Sequence, residues 1–411
     1  MASDQNGSFS GILERMGTFL QVVGSLLVLA SSAWLAASLI APGSVAILEA
    51  TGLFLPTAVI GLTLAWLGGK QTGRRAGSDN HRTIHDLLDG YRSTALLYLG
   101  AKLGIADLLA DGPRSSAELA GLIGAHGPSL LRTLRGLVAV GVCTEGREGL
   151  FGLTRLGESL QSGKSDSLRG FAILCGEEFM SAWSGLAHSV MSGDAAFDHV
   201  FGVSQWEHRR RHPELNYYFN DWLRGVTNGV ARDLLAAYDF SSFRTIADVG
   251  GGQGALLSAI LNAYPAATGI LFDQAHVIAD VLPIMEAAGV ASRCRIVGGS
   301  FFDSVPGGID ACILKSVIHD WDDERSLAIL NNCRKALNEN GKLLLIERLP
   351  PVRVEQHPHV ILIDLHMLAL TGGRERTAGE YRTLCASAGF KLERVIQTQS
   401  GYSIIEGQVA R

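Results

Sequence analysis

From Arg244 to the C-terminus, short apolar runs alternate with amphipathic ones. The segments "TIADVG", "TGILFD", "RCRIVGGS", "DACILKSV" and "KLLLIERL" read as strands, with helices between them. Strands that each hand over to a helix before the next begins form right-handed βαβ units, so they lie parallel and carry helices on both faces. The last two segments, "KLERVIQTQ" and "YSIIEGQVA", are separated only by "SG". So short a link leaves no room for a crossover and makes an antiparallel hairpin. The expectation is an α/β, doubly wound sheet with a reversed strand at its edge.

A chain of 411 residues has room for more than this one sheet. The Gly-rich, basic stretch "GGKQTGRRAGSDNH" at 68 to 81 reads as a linker, with a new unit starting near Asp79. Apolar residues then recur at helical spacing in "DLLDGYRSTALLYLGAKLGIADLLA". Ser116 is placed to cap a helix, and "GPSLLRTLRGLVAVG" gives another that ends at Gly141. "VCTEGREGLFGLT" follows as a short hairpin closed by Gly146 to Gly149. Helices followed by a hairpin make the order of a winged helix. Its candidate recognition helix carries only Arg132 and Arg135, and the wing balances Arg147 against Glu145 and Glu148. With a net charge of -5 over the chain, nucleic acid is not the expected partner, and packing in a homodimer is. The expected division is 1–78, 79–165 and 166–411. Residues 170 to 240 read as helical and hold Trp183, Phe197, Phe201, Trp206, Tyr217, Tyr218, Phe219 and Trp222, as core or as the wall of a pocket for a flat ligand.

The first 78 residues have a different character. No charge occurs from Met16 to Leu48 or from Ala50 to Gly69, and each apolar part approaches the roughly 20 residues that a spanning helix needs. "APGS" at 41 to 44 breaks the pair. Arg15 precedes it and Lys70, Arg74 and Arg75 follow it, so a two-helix membrane hairpin through residues 16–67 would leave both ends in the cytoplasm. The expected location is therefore membrane-tethered, with the catalytic part cytoplasmic. The alternative is a helical hairpin buried in a soluble dimer. Six scattered cysteines without a CxxC signal neither a zinc site nor a disulfide framework.

Chemistry concentrates at the ends of the expected strands. After "TIADV" come Gly250, Gly251, Gly252 and Gly254, then the helix "ALLSAILNAY". Glycine there permits a tight turn and lets a ligand approach the bare backbone. Asp273 ends the next strand, where a carboxylate accepts both hydroxyls of a ribose. A nicotinamide dinucleotide remains possible on these features. The spacing departs from G-x-G-x-x-G, however, and Asp248 begins a D-x-G-x-G-x-G run suited to the cationic amino end of S-adenosylmethionine.

His319 lies just past "DACILKSV", on the rim where such sheets bind ligands, and histidine can take a proton near neutral pH. Glu347 ends the next strand and Glu375 stands in a later loop, so both can orient the imidazole. No metal is expected.

"DVGGGQGALL", "FDQAHV", "VGGSFFDSVP", "ILKSVIHDWDDE", "LLLIERLP" and "LTGGRERT" resemble, in order and spacing, the motifs of the family 2, caffeate-type and polyketide-type, S-adenosylmethionine-dependent O-methyltransferases, from about residue 80 onward. The resemblance implies a Rossmann-like class I methyltransferase domain, an N-terminal helical winged-helix-like dimerisation domain and an exchanged helical region covering the partner's site. It also implies that Gly250 and Gly252 face the cofactor, that Asp273 holds its ribose and that Lys315 lies near its adenine or sulfur. His319 is then the proton acceptor with Glu347 and Glu375 beside it. Where the family often has Asp-Met over the adenine, this chain has Ser300 and Phe301, so stacking by Phe301 replaces a carboxylate contact. Thr227, Asp364, His366 and Met367 are further candidates for cofactor or substrate contact. The expected substrate is an aromatic or lipophilic hydroxyl compound. Two rivals are a membrane-bound winged-helix ligand sensor and a cofactor-binding relative with other chemistry, such as hydroxylation or decarboxylation.

Overall fold

The computed structural model describes residues 83–410. The expected membrane hairpin at 16–67 lies outside the described residues; among those described, no helix is long and apolar enough to cross a membrane. The chain divides into a unit ending at Gly90 and a second from Tyr91 to Arg411. In the first, the helix Ile84–Leu88 starts with a capping box between Thr83 and Asp86.

The second unit takes up the helix Gly90–Lys102 from Tyr91, followed by helices over Ile105–Leu108, Ser116–Ile123 and Gly127–Ala139 and a three-stranded sheet, β1 (Arg114–Ser115), β2 (Cys143–Glu145) and β3 (Leu150–Leu153), in the order β1-β3-β2. The hairpin β2–β3 turns through Gly146 to Gly149 as expected, with Glu148 and Gly149 at positive φ (65° and 71°). The two-residue strand β1 had no signal in the sequence. The helix at 116 is capped by Ser115 rather than Ser116. A capping box pairs the cap with an acid three residues on, and Ser115 finds Glu118 where Ser116 would find Leu119. Leu130, Leu134 and Leu137 put one face of the fourth helix into a core with Ile105, Leu119 and Phe151. Arg135, on the candidate recognition helix, is bonded to Glu145 of β2 at 2.9 Å.

A run of short helices from Arg169 to Arg211 leads into the 25-residue helix Pro213–Ala237. The main sheet follows: β4 (Thr245–Val249), β5 (Thr268–Asp273), β6 (Cys294–Gly298), β7 (Ile309–Lys315), β8 (Leu337–Glu347), β9 (Phe390–Gln397) and β10 (Ser403–Val409). The order is β6-β5-β4-β7-β8-β10-β9, with β4 to β8 parallel and β10 antiparallel to both β8 and β9. The hairpin is as expected, but the reversed strand is not at the edge. β10 inserts beside β8, and β9 takes the rim. The reason is burial: Ser403 to Gly407 are buried, whereas β9 carries Lys391, Glu393 and Arg394 into solvent, which suits an edge. Alternate residues feed the two faces. Ile313, Leu344 and Ile346 join one core with Leu257 and Leu261, while Cys312, Leu314 and Leu345 join the other with Leu330 and Leu384. All six cysteines are free.

Candidate active site

The parallel strands β4, β5, β7 and β8 all end on one rim, which opens into a cavity of about 650 Å³. The turn after β4 forms its floor. Gly250 and Gly252 have φ of 71° and 56°, in the left-handed region that side chains rarely adopt. A Cβ on Gly250 would stand 2.8 Å from Val317 Cγ2, whereas one on Gly252 would enter open space. Bare backbone is thus required at the first and leaves room for a ligand at the second.

Asp273 closes this turn: its Oδ2 accepts the Gly252 N–H at 2.8 Å and its Oδ1 the Gln274 N–H at 2.6 Å. Burial raises the Asp273 pKa, and those two donors pull against it. Asp248, 2% exposed at the end of β4, is lifted to about 7 by burial, with Lys315 opposing and Asp273 adding to the rise. A carboxyl so short of compensating charge gains from a cationic group in the cavity. Lys315 ends β7 and stands 5.2 Å from the centre of the Tyr402 ring, on whose face Arg348 also stacks at 3.9 Å.

Phe301 lines the cavity, as do Thr227, His366 and Met367. Ser300 does not; its hydroxyl accepts the Phe302 N–H within the turn after β6. Asp364 likewise stands behind the wall, accepting the Glu375 N–H at 2.7 Å. Tyr402, Arg348 and the strained Ser316 (φ 52°) were absent from the sequence reading, although each borders a strand whose end was identified.

At the far side His319 presents its ring to the cavity and is otherwise buried. Its Nδ1 lies 2.8 Å from Glu375 Oε1 and 3.8 Å from Glu347 Oε2. Glu347 also fixes the segment that carries the histidine: its Oε1 accepts the N–H groups of Val317 and Ile318 at 3.1 and 2.9 Å. Arg376, with no exposure, donates to the carbonyls of Ile318 and Trp321 at 2.9 and 2.7 Å. The Arg374 N–H reaches the His319 carbonyl at 2.8 Å, an approach close enough that a Cβ on Gly373 would fall 2.1 Å from the same oxygen.

Burial of the imidazole opposes its charging, but the negative charges of Glu347 and Glu375 and the hydrogen bond to Glu375 outweigh it and lift the His319 pKa to about 10. Burial lifts Glu347 to about 7, with His319 opposing and Glu375 and Asp320 adding to the rise. The donor atoms of the three residues lie within 4.8 Å of one another, so the cluster can concentrate positive charge, as a proton or as a cation.

Between turn and histidine the wall is aromatic. Phe171 stacks on Trp222 with centroids 4.7 Å apart, and Trp206 stacks on Trp321 at 6.0 Å. The aromatic residues between 170 and 240 therefore serve partly as core and partly as cavity lining.

Residues 183–391 match a family model described as an O-methyltransferase domain, and residues 85–163 match one described as an O-methyltransferase dimerisation domain. The phenazine O-methyltransferase PhzM of Lysobacter antibioticus is 48% identical over 322 residues, 78% of this chain and 94% of that one. Among solved structures, LaPhzM superposes with a TM-score of 0.76 at 47% identity, covering 79% of this chain and 98% of that one. An O-methyltransferase from neocarzinostatin biosynthesis, NcsB1, was solved with S-adenosylmethionine and 2-hydroxy-5-methyl naphthoic acid. It gives a TM-score of 0.69 at 33% identity, covering 77% of this chain and 96% of that one.

Proposed function

The chain belongs to the O-methyltransferases that use S-adenosylmethionine, and on that premise we propose that it methylates a hydroxyl of a fused-ring aromatic compound with His319 as general base. The observation that carries the reading is the 2.8 Å contact between His319 Nδ1 and Glu375. With Nδ1 committed to a carboxylate, Nε2 is the nitrogen left to take a proton from a hydroxyl in the cavity.

When bound, S-adenosylmethionine supplies a methyl group already activated on a sulfonium. Gly250 and Gly252 leave its approach clear, Asp248 offers a carboxylate to its amino group, and Asp273 is placed for its ribose. His319 titrates beside whatever charge the cavity holds, and a cation there disfavours the imidazolium, so the ring becomes neutral at lower pH than in the empty cavity. It then accepts the hydroxyl proton as the oxygen attacks. Glu375 and Glu347 stabilise the imidazolium that results. Holding the acceptor oxygen in line against the aromatic wall contributes much of the remaining rate. The compounds named with the relatives, the phenazine of one and the naphthoic acid bound to the other, are flat fused rings of the kind that this wall fits.

The uncharged stretches within residues 16–67 support a further element of the proposal, a membrane tether that leaves the catalytic part in the cytoplasm. The full chain would then stay with membranes through a high-salt wash and come off in detergent.

The test is incubation of the full chain with methyl-labelled S-adenosylmethionine and either a hydroxyphenazine or a hydroxynaphthoic acid. The expected result is label on the phenolic oxygen and one S-adenosylhomocysteine per methyl transferred. Transfer to nitrogen only, or to neither compound, would overturn the reading.

A further inference from the structure

We propose that His366 acts as a fixed hydrogen-bond donor on the substrate side of the cavity, and that it selects aromatic hydroxyl compounds bearing a second, hydrogen-bond-accepting atom. The inference rests on the methyl-transfer reading above and narrows its substrate class.

His366 projects from the helix Pro358–Thr371 into the cavity. Its Nδ1 lies 2.9 Å from Nε1 of Trp183. An indole nitrogen can only donate, so Nδ1 must be the accepting nitrogen and the single ring proton must sit on Nε2. The tautomer is therefore set by a partner 183 residues away in the chain. Phe179 meets the ring edge-on, with centroids 4.8 Å apart and planes at 85°, which fixes its orientation as well. Burial, then the positive charges of Arg209 and His319, push the His366 pKa down to about 4, which favours the neutral ring near neutral pH. Among the described residues no protein group accepts the Nε2 hydrogen.

The surroundings say which ligand this donor serves. Trp183 and Phe179 belong to the aromatic wall, not to the glycine turn that faces the cofactor. His366 and His319 line the same cavity, so a ring held against the wall can offer its hydroxyl to one histidine and a second atom to the other. A neutral N–H reads a lone pair rather than a charge. A carbonyl oxygen or an aromatic ring nitrogen satisfies it, whereas a plain hydrocarbon edge leaves it unpaired against aromatic carbon.

The test compares three probes binding to the full chain saturated with S-adenosylhomocysteine: 8-hydroxyquinoline, with a ring nitrogen; 5-hydroxy-1,4-naphthoquinone, with a carbonyl; and 1-naphthol, with neither. Calorimetry gives each dissociation constant for wild type, His366→Phe and His366→Gln. Wild type should favour at least one acceptor-bearing probe over 1-naphthol by about tenfold. His366→Phe should reduce that ratio to within about twofold, and His366→Gln, which keeps a neutral donor, should restore most of it. A ratio unchanged in His366→Phe, a wild type without preference, or no binding of any probe would overturn the inference. Because binding is read without methyl transfer, selective binding with no turnover would count against the reaction and leave the donor role standing. Turnover without selectivity would do the reverse.

Discussion

His319 and Glu375, 56 residues apart in sequence, meet at 2.8 Å with the imidazole Nδ1 against a buried carboxylate oxygen. Glu375 is brought there by a loop whose backbone is tied down at both ends of the contact. Asp364 accepts the Glu375 N–H, and the Arg374 N–H donates to the His319 carbonyl. The imidazole and the carboxylate against it, the base and orienter of the proposed mechanism, are thus held by the same short segment.

The pH dependence follows from this pair. His319 accepts a proton only while neutral, and the two glutamates raise its pKa, so kcat/KM should climb with pH through the titration of the ring. Removing one negative charge lowers that pKa. Glu375→Gln should therefore shift the rising limb of the profile to lower pH, by about one unit or more, while the plateau falls because the imidazolium loses a partner. A limb that stayed in place or moved to higher pH would contradict the assignment.

Asp273 accepts two backbone N–H groups in the turn, and the proposal has those same oxygens receive the ribose hydroxyls. Asp273→Asn keeps the shape but removes the charge and half of the acceptor capacity. Titration with S-adenosylmethionine should show affinity weaker by about ten- to a hundredfold, the range for hydrogen bonds to a charged group.

Arg376 gives a prediction about stability. Its buried guanidinium satisfies the carbonyls of Ile318 and Trp321, while its partner Asp323 is 62% exposed on the side chain. Arg376→Met should take the shortest donor from each carbonyl, leaving Ile318 only the Trp321 N–H at 3.3 Å and both carbonyls the Ser326 hydroxyl at 3.4 Å, so the loss should be about 1 to 2 kcal/mol by denaturant titration. The His319 segment should loosen with it, lowering kcat more than it raises KM for the hydroxyl substrate.

Much of this site is legible in the sequence because strand ends in a parallel sheet share one rim, so Asp248, Asp273, His319 and Glu347 needed only the βα alternation to be brought together, whereas Lys315 came from the resemblance. Glu375 followed from its motif. What stayed hidden depends on contacts that no local pattern encodes. The bond from Trp183 to His366 spans 183 residues, and Tyr402 reaches Lys315 and the cavity only because β10 inserts beside β8. That insertion did have a signal. β10 has one charged residue, Glu406, held by Lys342 and Arg394, whereas β9 exposes its charges, and comparing the two would have placed the reversed strand inside. Ser300 is a different case, a residue expected at the cofactor by its position in a motif whose hydroxyl accepts the Phe302 N–H in the turn after β6.

The most direct test is a single-turnover comparison of wild type with His319→Asn, with the enzyme saturated by methyl-labelled S-adenosylmethionine and a hydroxyphenazine as acceptor. The proposal expects methyl transfer to fall by about a hundredfold or more while the dissociation constant for S-adenosylmethionine stays within about twofold. A variant that transfers the methyl group at nearly the wild-type rate would contradict it.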